Sequence, residues 1–69
     1  MPLSPNDRKA ELVRRGVSMS EIARRLGVTP QHVSQVVGGD RRSTPVESAV
    51  AAAIGMPVED VFEPATAAA

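Results

Sequence analysis

Cysteine is absent from the 69 residues, which excludes disulfides and thiolate metal sites. Tryptophan and tyrosine are missing as well, and Phe62 is the sole aromatic residue. Any interior must therefore be assembled from Val, Ala, Leu and Ile, the bulk of the 42% of residues that are apolar. Small aliphatic contacts between helices give a modest margin of stability. No apolar run approaches the ~20 residues needed to cross a bilayer. Residues Met1 to Asp7 also lack the basic region and apolar stretch of a secretory signal. At this length a single soluble, cytoplasmic domain is expected, with no room for a second core.

Net charge is zero, yet its distribution is uneven. All eight basic residues lie in residues 1–42, against four acids there, for a balance of +4. Residues 43–69 carry Glu47, Glu59, Asp60 and Glu63 with no basic residue, a balance of −4. A basic half can present a phosphate-binding face, although ordinary solvated helix surface accounts for the charges equally well.

Strand signals are missing too, because Gly and Pro fall at helix ends and no apolar alternation occurs. What is present is clear helix punctuation. Ser4-Pro5 offers an N-cap followed by proline, and the first helix is expected over residues 5–15, stopped by Gly16. Its apolar content is thin: Ala10, Leu12 and Val13, helped by Leu3. Ser18-Met-Ser-Glu21 fits a capping box opening a helix over 19–26, with Ile22, Ala23 and Leu26 on one face and Gly27 at its end. Thr29-Pro30 opens a third helix over 30–37, with Val33, Val36 and Val37 inward and Gly38-Gly39 after it. Thr44-Pro-Val-Glu47 reads as another capping box for a helix over 45–54, where Val46, Ala49, Val50, Ala53 and Ile54 recur at helical spacing. A last turn over 58–62 carries Val58, Val61 and Phe62. The fold class is thus all-α: a compact bundle of four to five short helices over residues 1–63, with residues 64–69 expected to be a disordered tail.

Two short helices joined by a brief turn containing glycine form a helix-turn-helix, and the segment Met19 to Val37 has that plan. Ala23 is small where the third helix crosses, Gly27 supplies the positive φ of the turn, and Ile22, Leu26, Val28, Val33 and Val36 fill the wedge. This segment resembles the helix-turn-helix of the Cro and lambda-repressor superfamily. The continuation, Gly38-Gly-Asp-Arg-Arg-Ser-Thr-Pro, then an Ala/Val-rich helix and Gly-Met-Pro-Val-Glu-Asp-Val-Phe-Glu-Pro, is similar to small Ner-type phage and prophage regulators. The resemblance spans about residues 10 to 64. It implies a sequence-specific transcriptional regulator, a repressor of phage type. Such proteins carry a larger aliphatic residue one turn before Leu12, where this chain has Arg8.

Helix geometry names the residues that would meet a duplex. With Val33, Val36 and Val37 inward, the outer face of the third helix is centred on Gln31 and Gln35, flanked by Ser34, with His32 nearer the side. Glutamine donates and accepts together and so can pair with adenine N6 and N7 in the major groove; an exposed, neutral helix former is the plainer reading. Thr29 at the helix N-terminus suits a phosphate oxygen, a plain N-cap, or both. Arg41, Arg42 and Ser43 follow the reading helix, where backbone contacts are expected. Arg24 and Arg25 lie on the helix that crosses the DNA backbone in this docking mode.

His32 is the only histidine and no cysteine accompanies it, so it is a poor metal ligand and, without a nucleophile, a poor catalytic base; a groove-edge or phosphate contact, or plain exposure, is expected instead. No Walker motif, Gly-rich nucleotide loop or clustered carboxylate pair occurs. No enzyme activity, cofactor or metal is expected. The expected partner is double-stranded DNA, with a second copy of the chain alongside on a two-half-site operator. The alternatives are a helical protein-interaction module that keeps the fold, or an antitoxin-like partner, which would want a longer tail than Pro64–Ala69.

Overall fold

A computed structural model describes residues 2–63, so the expected tail at residues 64–69 lies outside the described residues. Five helices follow one another: α1 (Pro5–Arg14), α2 (Met19–Leu26), α3 (Pro30–Gly38), α4 (Thr44–Ile54) and α5 (Val58–Val61). Among the described residues there is no strand.

The helix starts follow one device three times over. Ser4, Ser18 and Thr29 each adopt extended backbone, and each side-chain oxygen accepts the amide proton three residues on, from Asp7, Glu21 and His32, all at 3.1 Å. α4 departs from expectation. It begins one residue early, so Ser43 rather than Thr44 is its N-cap, and the Ser43 side chain makes no cap bond. The Glu47 carboxylate instead accepts the Ser43 amide at 3.1 Å, the second half of a capping box without the first. α3 runs one residue longer than expected, and α1 and α5 each stop one residue sooner.

The helix ends share a device as well. After α2, the Val28 amide returns to the Ala23 carbonyl at 3.0 Å, with Gly27 at φ +71° making the left-handed step. The same closure ends α3, where the Asp40 amide meets the Gln35 carbonyl at 2.9 Å.

The core consists of Leu12, Ile22, Ala23, Val33, Val36, Val37, Val46, Val50, Ala51, Ile54, Val61 and Phe62. Valine dominates it. In a helix valine keeps essentially one χ1 rotamer, so burying it costs little side-chain entropy. α2 and α3 make the most extensive contact of any helix pair, with Ala23 only 1% exposed where they cross.

α1 packs differently from the apolar pattern of the sequence. Val13 is 79% exposed and Ala10 is also exposed, while Leu12 and Arg8 are buried. The buried residues of α1 are Arg8 and Leu12, spaced i, i+4, and exposed Arg15 follows as its C-cap. Arg8, 5% exposed, donates from Nε to the Val37 carbonyl at 2.8 Å and from Nη1 to the carbonyls of Leu3 at 2.7 Å and Val61 at 3.0 Å. Its guanidinium also lies 4.6 Å from the centroid of the Phe62 ring. Burial, and next the repulsion of Arg42, pull its pKa below the ordinary arginine range, while Glu47 and Glu63 act the other way. Arg15 donates from Nε to the Ile54 carbonyl at 2.7 Å. Arg8 of α1 and its C-cap Arg15 thus satisfy carbonyls at the C-terminal ends of α3 and α4, where helices leave acceptors free and a cation is favoured.

Candidate nucleic-acid interface

The α2–turn–α3 unit sets the geometry of the candidate surface. Val33, Val36 and Val37 are each at most 1% exposed, so the opposite side of α3 must face outward. Gln31 and Ser34 are exposed there, and Gln35 and His32 are half-buried at its margins. The four side chains expected to meet base edges therefore share one polar flank of the helix.

Thr29 caps α3 by accepting the His32 amide proton, which leaves its own hydroxyl proton free to donate. The N-cap and phosphate roles are therefore compatible at this position. Arg41 reaches back along α3, its Nη1 2.7 Å from Nδ1 of His32. This loop arginine thus stands beside the polar flank, a pairing that sequence spacing gave no means of seeing.

Arg42, grouped with Arg41 in the sequence, has a different setting. Its Nε is 3.0 Å and its Nη2 3.2 Å from the two oxygens of Glu47, and Nη2 also donates to the Glu63 carbonyl at 2.6 Å. Glu47, only 7% exposed, holds both Arg42 and the Ser43 amide, so the loop between α3 and α4 is braced from inside. Ser43 serves there as the backbone N-cap of α4. On α2, Arg24 is exposed, and Arg25 lies 3.9 Å from Glu21 in a loose surface pair.

The basic half of the chain is thus less available than its count implies. Arg8 and Arg15 are bound to helix-end carbonyls, Arg42 to Glu47, and Arg14 to Glu11 at 3.2 Å. Among the described residues Lys9, Arg24 and Arg41 are exposed cations without an acidic partner. The described residues also contain no group of three or more His, Asp or Glu side chains able to hold a metal ion, and no helix long and apolar enough to cross a membrane.

A helix-turn-helix with a buried valine face and a polar outer face on its second helix defines a DNA-binding domain. Residues 3–64 match the family model described as winged helix-turn-helix DNA-binding, and the chain belongs to that family. The described residues show no wing strand: α4 is followed by the short helix α5. No curated protein and no solved structure matches the chain.

Proposed function

We propose that the chain is a sequence-specific transcriptional regulator of double-stranded DNA, a repressor of the phage or prophage Ner type within the Cro and lambda-repressor superfamily. In this reading α3 enters the major groove, Gln31, Gln35, Ser34 and His32 meet base edges, and Thr29, Arg41, Arg24 and Arg25 hold phosphates. Arg42 joins them only by loosening its bridge to Glu47, and Ser43 only through what its capping position leaves free. The protein acts by binding, and no catalytic role is assigned to any residue.

One observation carries the reading. The face of α3 opposite the three fully buried valines is polar, uncharged and rich in groups that both donate and accept. Selection of duplexes from a random library, followed by footprinting at defined salt, tests it. Gln31→Ala and Gln35→Ala should each relax discrimination at particular base pairs by about 1–3 kcal/mol. Uniform weakening on all sequences would sink the base-reading assignment.

The burial of Arg8 and the bonding of exposed Arg15 and Arg42 to groups of the same chain favour a second reading, a helical protein-interaction module, because they shrink the free cationic surface. Salt separates the two. Phosphate-driven binding must weaken steeply as salt rises, whereas an interaction module binds no duplex even at low salt.

A further inference from the structure

We infer that Arg41 fixes the tautomer of His32, so that His32 presents an N–H donor to the duplex and selects an acceptor edge, guanine above all, at the base pair beneath it. The inference rests on the DNA reading above and deepens it by one specificity-determining pair.

The chemistry follows from one contact. Arg41 Nη1 lies 2.7 Å from Nδ1 of His32. A guanidinium stays protonated and offers donors only, so Nδ1 must be the acceptor. A neutral imidazole that accepts at Nδ1 carries its proton at Nε2. The His32 backbone is held too, since its amide donates to Thr29 Oγ1 at 3.1 Å. The ring contact exists in the free protein, so the tautomer it favours is in place before any DNA arrives.

A fixed donor discriminates differently from glutamine. Gln31 and Gln35 can turn either end of their amide to a base, whereas His32 held by Arg41 can only give a proton. In the major groove guanine offers two acceptors, N7 and O6, while cytosine offers only the N4 donor. Cytosine facing Nε2–H would set donor against donor. Arg41 acts here as a positioning residue, and His32 is the group that touches the base.

Two measurements test the pair. The first needs no DNA. In the ¹⁵N-labelled free protein, with the imidazole neutral, the wild type should show Nε2–H and a hydrogen-bonded Nδ1. In Arg41→Ala the Nδ1 resonance should move to the position of a free ring nitrogen. An Nδ1–H tautomer in the wild type, or an Nδ1 signal unmoved by Arg41→Ala, overturns the inference.

The second is selection from a random duplex library. Arg41→Ala and His32→Ala should both lose preference at the same base pair, by about fivefold or more, the lower end of what a specific contact gives. The double variant should lose no further preference there. Loss by His32→Ala that is equal on every sequence would mean a phosphate contact and overturn the base assignment. A wild type that selects no duplex, with the tautomer result intact, would instead overturn the DNA reading on which the base contact rests.

Discussion

Arg8 stands where an aliphatic side chain would pack, and its guanidinium is tolerated because three carbonyls and a ring face meet it. Net of the exchange with water, a hydrogen bond to a charged group is worth roughly 1.5–3 kcal/mol, from which the cost of burying the guanidinium must be taken. Arg8→Met keeps the stem and removes the bonds. Urea unfolding should show a loss of about 3 kcal/mol, and a loss under about 1 kcal/mol would mean that water satisfies the carbonyls instead. Gly27 is a cleaner case. Its φ is +71°, and a Cβ added there would meet nothing within 4 Å. Gly27→Ala should therefore cost about 1–2 kcal/mol through backbone strain alone, with Gly27→Asn recovering part of it, as thermal unfolding of the two variants can check.

At the scale of the element, α1 separates what the sequence makes legible from what it hides. α2, α3 and α4 announce themselves through apolar spacing, caps and glycine stops, and the valine face of α3 is buried as that spacing requires. The outer flank of α3 follows from the same geometry. α1 has no such stripe, because one of its two buried positions is Arg8, and periodicity counts every arginine as surface. Only the fold reveals that Val37 and Ile54, distant in sequence, end their helices beside α1. The sorting of loop cations was hidden for the same reason: Arg41 and Arg42 are adjacent, yet one meets His32 and the other Glu47. Two substitutions check the packing of α1. Leu12→Ala should destabilise by about 2–5 kcal/mol. Val13→Lys, at a position 79% exposed, should change stability by no more than about 0.5 kcal/mol in either direction.

The described residues measure 33 × 23 × 17 Å, so their longest dimension is close to one helical turn of DNA, ~34 Å. Few cations remain for phosphate, and each phosphate neutralised adds about −0.9 to the slope of log affinity against log salt. Arg24→Ala and Arg41→Ala should each flatten that slope by about 1. Arg15→Ala should lower the melting temperature, because the Ile54 carbonyl loses its donor, and leave the slope unchanged; a flattened slope would place Arg15 on the phosphates. The Arg8 contacts join residues 29 and 53 positions apart in sequence, tying the end of α3 to both chain-terminal segments at once. Helix ends ordinarily open on their own, far below the cost of global unfolding. The amides in the last turn of α3 should instead exchange with deuterium only when α1 and α5 let go as well. Arg8→Met should release that turn to exchange by itself, so the end of α3 owes its persistence to a side chain borrowed from α1.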